Sequence, residues 1–209
     1  APSPSFNDPL AHWNQRFAAE GFLFGTEPNA YLVAQAAHLR PGRVLCVADG
    51  EGRNSVWLAR QGFAASAFEL SPVAVEKARA LAQSQQVQVD FHCCGWEDYA
   101  WAQAAFDNVV GIFFQFADPA ARARLFQHID QALKPGGTLL LLGYGPDQLR
   151  FKTGGPGRLE NLYTEALLRE AFPRYELLQL RSWEEELAEG TAHRGHSALV
   201  GLVARKPLA

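Results

Sequence analysis

The sequence lacks the features that mark a membrane protein, a disulfide-stabilised protein or a metalloprotein. No apolar run approaches the roughly 20 residues needed to cross a bilayer, and no C-x-x-C or H-E-x-x-H spacing of metal ligands is present. The chain has only three cysteines, and Cys93 and Cys94 are neighbours, which argues against a disulfide framework. We therefore expect a cytoplasmic protein without a metal centre.

An excess of charge of one sign is also lacking. The 209 residues carry a formal net charge of -3, and lysine and arginine do not form the clusters that bind nucleic acid or an anionic membrane. The first residues have neither the basic start nor the apolar middle of a signal peptide. The composition, 48% hydrophobic and 20% charged, is that of an ordinary globular chain. We expect one domain over residues 1–209, a monomer or homodimer that acts on a small molecule, with neither nucleic acid nor membrane as partner.

Apolar strands alternate with amphipathic helices along most of the chain. Near-continuous apolar strands separated by helices are typical of a parallel sheet covered on both faces. We therefore predict an α/β fold, a Rossmann-like, doubly wound, mostly parallel seven-stranded sheet with N-terminal lid helices and an antiparallel C-terminal hairpin. The expected parts are N-terminal cap helices (1–40), a central core (41–145) and a loop with the hairpin (146–209). The predicted strands cover 43–48, 63–70, 87–94, 106–116, 137–144, 175–187 and 197–206, and the predicted helices 8–20, 28–39, 52–62, 71–85, 119–134 and 164–171.

A glycine turn and an acid lie where a parallel sheet binds ligands. Gly50 and Gly52 follow the first predicted strand in VLCVADGEGRN (44–54), and their missing side chains allow a tight turn and close approach of a ligand. Glu69 ends the second strand, where a carboxylate accepts hydrogen bonds from both ribose hydroxyls of a nucleoside. On its own, such a glycine pair is more often just a tight turn, and a single acid at this position is usually a solvated strand end. Together, the glycines and Glu69 favour a nucleoside-containing ligand. Ser55 stands where a nicotinamide dinucleotide site has its third glycine, which counts against that cofactor.

Four stretches resemble the motifs of the class I S-adenosylmethionine-dependent methyltransferases. VLCVADGEGRN is similar to their first motif, FELSP (68–72) to the acidic second-strand motif, FDNVVGIFFQF (106–116) to the fourth strand, and ALKPGGTLLLL (132–142) to the entry of strand five. Within the class, FLFGTEPNAYLV and TGGPGRLENLYT resemble small bacterial enzymes related to the tellurite-resistance methyltransferases, with thiopurine methyltransferases as more distant relatives.

The resemblance implies S-adenosylmethionine as cofactor, bound by the 41–145 core, and S-adenosylhomocysteine as product. This chain departs from the first motif, because Cys46 and Ala48 replace the family's acid and glycine, and its acid comes later, at Asp49. We expect Asp49 to face the cofactor's ammonium group, directly or through water, and Trp96 to border the adenine. The implied cofactor-binding residues are Trp13, Asp49, Gly50, Glu51, Gly52, Asn54, Glu69, Leu70, Cys94, Gly95, Trp96, Glu97, Phe113, Phe114 and Gln115, and the implied substrate residues are Arg16, Phe24 and Arg158.

Core packing is the alternative role for the aromatic members of this set. Trp13 and Trp96 are equally suited to anchoring a helix or half-filling the core. Phe113 and Phe114 end the predicted fourth strand, and successive strand residues point to opposite faces, so we expect at least one of the two to pack.

The predicted function is methyl transfer to a small-molecule nucleophile by direct in-line displacement. A thiol or a selenium or tellurium species is favoured, because a soft nucleophile needs little help from a general base. The conceivable bases are His12, His92, His128 and His196, and each has a simpler structural interpretation. His193 and His196 are expected in the final hairpin loop. Two other functions stay open, a catalytically silent S-adenosylmethionine-binding sensor or partner protein and a nicotinamide-dependent oxidoreductase.

Overall fold

The fold is a sheet with helices on both faces, seen in a computed structural model that describes residues 8–151 and 153–209. Residues 1–7 of the predicted cap segment and residue 152 lie outside the described part. The strands are β1 (Arg43–Val47), β2 (Ala64–Glu69), β3 (Asp90–Cys93), β4 (Phe106–Ile112), β5 (Leu133–Tyr144), β6 (Glu176–Glu189) and β7 (His193–Arg205). The helices are α1 (Pro9–Phe17), α2 (Ala30–Gln35), α3 (Arg53–Arg60), α4 (Pro72–Ser84), α5 (Pro119–Ala132) and α6 (Glu165–Ala171), with short 3-10 helices at Ala36–His38, Pro146–Arg150 and Leu159–Asn161.

The strands of the described residues form one seven-stranded sheet in the order β3-β2-β1-β4-β5-β7-β6. β1 pairs in parallel with β2 on one side and β4 on the other, while β7 pairs antiparallel with both β5 and β6. The predicted fold class is confirmed. Because the chain connections diverge to opposite sides of β1 and β4, a crevice opens beyond the carboxyl ends of these two strands, which is where such sheets bind ligands.

Alternating residues of the strands fill two apolar layers. Val44 points into the layer that also contains Leu58 of α3, whereas its neighbour Leu45 points into the layer beneath Ile129 of α5. All four side chains are fully buried, and burying one such side chain contributes about 1.5–3 kcal/mol. This two-sided burial holds the strand ends rigid, so the turns that follow them have fixed positions. No helix of residues 8–151 or 153–209 is both long enough and apolar enough to cross a bilayer.

Most predicted helix starts are confirmed, and several strand boundaries are wrong. Asp8, Ser71 and Asp118 each cap a helix by accepting from a backbone N–H three residues later. β4 ends at Ile112 and not at residue 116. The C-terminal strands run longer than predicted, so the segment between β6 and β7 is only 190–192 and Gly195 lies within β7.

Candidate active site

A cavity of about 410 Å³ opens beyond the carboxyl ends of β1, β2 and β4. Its walls come from the turns that follow these strands and β3, and α1 covers one side. A volume of this size is typical of a small-molecule site, roughly 300–1,000 Å³. The residues that line the cavity include Trp13, Phe24, Asp49, Gly50, Arg53, Asn54, Glu69, Leu70, Cys94, Gly95, Trp96, Glu97, Phe113, Phe114 and His193.

Asp49 lines the cavity, and one of its carboxyl oxygens is buried without a hydrogen-bond partner among the described residues. Ala48 and Gly50, on either side, have left-handed φ values of 49° and 62°, which turn the chain sharply after β1. The Ser55 hydroxyl donates to Asp49 Oδ2 at 2.5 Å, whereas Oδ1 is inaccessible and has no hydrogen-bond partner among the described residues. Burial, with a smaller contribution from the Glu69 charge, raises the pKa of Asp49 to about 8. Ser55 therefore orients the acid through Oδ2, and Oδ1 is left without a partner among the described residues.

Glu69 is held in place by backbone amides at the end of β2. Gly50 N–H donates to its Oε1 at 3.1 Å and Ser71 N–H to its Oε2 at 2.7 Å. The residue is 9% exposed, and burial raises the pKa of its carboxyl. Because each carboxylate oxygen accepts more than one hydrogen bond, both remain able to accept from a ligand hydroxyl. The structure thus places Asp49 and Glu69 at the carboxyl ends of two adjacent strands, in one cavity.

The turn after β3 supplies a third side of the cavity. Trp96 is 8% exposed and belongs to the apolar layer beneath α5, and its carbonyl accepts from the indole N–H of Trp101 at 2.8 Å. Cys94, Gly95 and Glu97 line the cavity beside it. Trp96 therefore combines the two roles considered from the sequence, because it packs in the core and also contributes to the cavity wall.

His193 lies in the cavity, although the sequence indicated a loop position for it. Its ring stacks on Phe24 with centroids 4.4 Å apart and lies 4.3 Å from that of Phe113, and its Nδ1 forms a hydrogen bond with the Tyr144 hydroxyl. Burial, assisted by the charges of Arg53 and Arg16, lowers the pKa of His193 to about 3. A single sequence carries no signal for this placement, because it depends on the β6–β7 pairing that sets His193 opposite Glu189.

The segment before α2 covers the cavity and is anchored at several points. Lys77 Nζ donates to the carbonyls of Ala19 and Gly21 at 2.8 and 2.7 Å and to Glu51 Oε2 at 3.0 Å. Glu51 Oε1 accepts from Leu23 N–H at 2.7 Å. Glu51, predicted to contact the cofactor, therefore fixes the covering segment. The same segment brings Phe24 over His193.

Five predicted site residues do not line the cavity: Arg16, Glu51, Gly52, Gln115 and Arg158. Gly52 is the N-cap of α3 with φ of 90°, and a Cβ there would lie 2.7 Å from the Cβ of Ala78, so its lack of a side chain permits helix packing. Gln115 bridges to β5, with its amide donating to the Tyr144 carbonyl at 2.8 Å. Arg16 lies 5.0 Å from the centre of the Trp13 ring, and Arg158 is exposed before a 3-10 helix. Gly52 and Gln115 therefore support the fold around the cavity, and none of the five residues lines it.

Phe113 and Phe114 line the cavity from beyond β4 and not from its last residues. Phe113 has a left-handed φ of 52°, and its N–H donates to the Leu142 carbonyl at 2.9 Å. A Cβ on Gly111 would meet the Phe114 ring at 2.5 Å, so this glycine makes room for the chain to fold back. Phe114 is 2% exposed, which confirms that at least one of the two phenylalanines packs.

Comparison with known proteins gives a consistent assignment. Residues 44–137 match the model of a methyltransferase domain. The chain is 30% identical over 168 residues to thiopurine S-methyltransferase of Pseudomonas fluorescens (strain SBW25), covering 69% of this chain and 74% of that protein. It is 38% identical over 114 residues to ubiquinone biosynthesis O-methyltransferase of Xanthomonas campestris pv. campestris (strain B100), covering 53% of this chain and 46% of that protein, so it spans less than half of this relative.

Solved structures support the same fold. A SAM-dependent methyltransferase from Methanosarcina mazei superposes with a TM-score of 0.71 at 19% identity, covering 88% of this chain and all (100%) of that one. An identity this low is informative about fold alone, while the domain match and the thiopurine S-methyltransferase relative identify the family. The chain belongs to the class I S-adenosylmethionine-dependent methyltransferases.

Proposed function

We propose that the cavity binds S-adenosylmethionine and that the enzyme transfers its methyl group to a compact small-molecule nucleophile, with a thiol or chalcogen species favoured. The main support for binding of this cofactor is Asp49 Oδ1, a buried carboxyl oxygen without a partner among the described residues. An ammonium group is the complement of such an atom, because a buried charge or polar group is stable only when it is paired.

The other walls fit the remaining parts of this cofactor. Glu69, fixed by two backbone amides, has acceptor capacity left for the ribose hydroxyls. Leu70 and Trp96 offer apolar surface for the adenine, beside Cys94 and Glu97.

The acceptor must be compact, because one cavity of about 410 Å³ has to hold both molecules. We expect the acceptor to bind beside the group of rings formed by Phe24, Phe113 and His193. A sulfur acceptor is also supported by the thiopurine S-methyltransferase relative, whose name specifies methylation at sulfur. Aromatic rings also favour a neighbouring sulfonium by about 0.5–2 kcal/mol.

The cofactor, when bound, supplies a methyl group already activated by a positively charged sulfur. This chain's residues then have three tasks: Asp49 and Glu69 fix the cofactor's ends, the aromatic group positions the acceptor, and the covering segment excludes water. Correct positioning can contribute up to about 7–11 kcal/mol to lowering a barrier in the best-oriented model reactions. Since a soft nucleophile needs little base catalysis, binding and orientation suffice.

The proposal is tested by turnover with S-adenosylmethionine across a panel of thiols, chalcogen oxyanions and amines, with product methylation measured by mass spectrometry. We expect methylated thiol or chalcogen products. Thermal stabilisation by S-adenosylhomocysteine but not by NAD(P) serves as the binding control. Stabilisation without turnover of any acceptor would instead support the silent cofactor-binding protein.

A further inference from the structure

The acceptor side of the cavity contains one histidine nitrogen that no described residue engages. The two faces of the His193 ring are flanked by Phe24 and Phe113, with centroids 4.4 and 4.3 Å away, and Nδ1 is engaged by the Tyr144 hydroxyl. Nε2 has no hydrogen bond to any described residue and is not sealed from the cavity, whose wall His193 forms. This atom is therefore the polar contact that His193 offers to an acceptor.

The bond to Tyr144 determines which nitrogen of His193 carries the proton. Tyr144 is 1% exposed, and burial raises the pKa of its hydroxyl well above the usual range. This hydroxyl remains protonated, and His193 Nδ1 is its hydrogen-bond partner among the described residues. If the hydroxyl donates to Nδ1, both groups are satisfied, whereas the reverse direction leaves a buried O–H without an acceptor. The neutral imidazole thus carries its proton on Nε2.

The surroundings of His193 keep the ring neutral. The charged or titratable groups that face it are Arg53 from α3, Arg16 from α1, Tyr144 from β5 and, beyond Arg53, Glu189 from β6. Burial and the two arginines lower the pKa of His193 to about 3. A general base is most effective when its pKa lies near the working pH, so His193 is poorly suited to remove a proton and well suited to donate a hydrogen bond.

Arg53 adds positive charge to the same side of the cavity. Its guanidinium is buried, forms an ion pair with Glu189 and lies 5.9 Å from the centre of the Phe24 ring. The Asn29 side-chain amide also donates to Glu189 Oε1 at 3.0 Å, so Glu189 uses part of its hydrogen-bond acceptor capacity on Asn29 and not on Arg53. A guanidinium has five N–H donors and Glu189 engages only some of them. An anion beside His193 would thus meet both a donor and a cation.

We propose that the methyl acceptor binds already ionised, as a compact thiolate or comparable soft anion, and that His193 Nε2–H and Arg53 stabilise it without taking a proton from it. This inference rests on the proposed methyl transfer. The acceptor's sulfur forms the new S–CH3 bond with its lone pair while the sulfonium S–CH3 bond breaks. The electrons of the broken bond remain on the sulfur of S-adenosylhomocysteine, and no proton moves.

A spectroscopic measurement tests the tautomer independently of activity. In long-range 1H–15N spectra of the labelled protein, His193 should show the Nε2–H neutral pattern from about pH 5 to pH 8. Tyr144→Phe should change this pattern, because it removes the donor to Nδ1. A protonated or Nδ1–H ring in the wild-type protein at neutral pH would overturn the proposal.

A kinetic measurement tests the ionised acceptor. With a series of aryl thiols of different acidity, the acid limb of kcat/KM should shift with the pKa of each thiol. His193→Leu should lower kcat/KM by about 10- to 100-fold, as expected for a lost hydrogen bond to a charged group, and His193→Gln, which keeps an N–H donor, should recover part of the loss. If the acid limb of kcat/KM fell at the same pH for every thiol, the ionising group would be a base on the protein, and the proposal would be overturned.

Calorimetry with S-adenosylhomocysteine separates this inference from the proposed function. If the wild-type protein does not bind it, the proposed function itself fails. If binding is normal in the wild-type protein and in both His193 variants, but amines are methylated and thiolates are not, only the ionised acceptor is refuted. Absence of turnover with every anionic acceptor at every pH, despite normal binding, would refute it equally.

Discussion

Replacing Asp49 with asparagine should stabilise the cofactor-free protein at neutral pH and destabilise it in acid. The pKa of Asp49 is raised from 3.8 to about 8 in the fold, so the folded protein holds a proton that the unfolded chain releases. A raised carboxyl pKa contributes stability below the unfolded pKa, and this contribution is lost as the pH rises towards the folded value. At pH 7 the loss is about 4 kcal/mol, from roughly three pH units at about 1.4 kcal/mol each.

The asparagine of the Asp49→Asn variant would have no such pH dependence but would carry a cost of its own. Ser55 can still donate to the amide oxygen, which leaves the NH2 group at the Oδ1 position without a partner, a cost of about 1–3 kcal/mol. The variant should therefore be less stable than the wild type by about 1–3 kcal/mol near pH 4 and more stable by a similar amount near pH 7.

Urea unfolding across this pH range measures the difference. The pKa of Glu69 is also raised, so the comparison between variant and wild type, and not the wild-type slope alone, isolates Asp49. Glu97→Gln removes an exposed carboxyl from the same cavity and should leave the wild-type pH dependence in place, since water screens that charge. A constant stability difference between Asp49→Asn and wild type at all pH values would refute the reasoning.

Two pairs of glycine variants test the packing that supports the site, both by urea unfolding. Gly155→Ala should cost about 2–4 kcal/mol, because Gly155 has φ of 79° and a Cβ would lie 2.5 Å from the Tyr144 ring, whereas Gly157→Ala, with open space around it, should change stability by less than about 0.5 kcal/mol. Gly52→Ala should cost about 1–3 kcal/mol more than Gly62→Ala, since both have φ of at least 90° but only the former meets the facing helix α4. Equal costs within either pair would show that the close contact is not the cause.

The fold could be predicted because its signals are local. Alternation of apolar strands with helices indicated the parallel sheet, and side-chain caps such as Asp8 and Ser71 marked helix starts. The predicted parallel sheet also located the turn after the first strand and Glu69 in one site, because the carboxyl ends of neighbouring parallel strands meet at one edge of the sheet.

The parts that were missed depend on contacts between distant residues. FDNVVGIFFQF has the pattern of one apolar strand, yet Phe113 takes a left-handed conformation and the chain folds back over Gly111. Gly111 was the available signal for this turn. His193 enters the cavity because β6 and β7 pair up to Glu189, and Glu51 turns away from the cavity because Lys77 and Leu23 N–H engage it. Neither outcome follows from spacing along the chain.

The most direct test of the account is calorimetric titration with S-adenosylhomocysteine, at pH 7, in buffers of different ionisation enthalpy. We predict binding with a Kd of about 1 µM and release of most of one proton as the ligand's ammonium meets Asp49. Asp49→Asn should bind about 10- to 100-fold more weakly, without that proton release. Undetectable binding, or equal affinity and equal proton release in wild type and Asp49→Asn, would contradict the assignment of Asp49 as the acid that receives the cofactor.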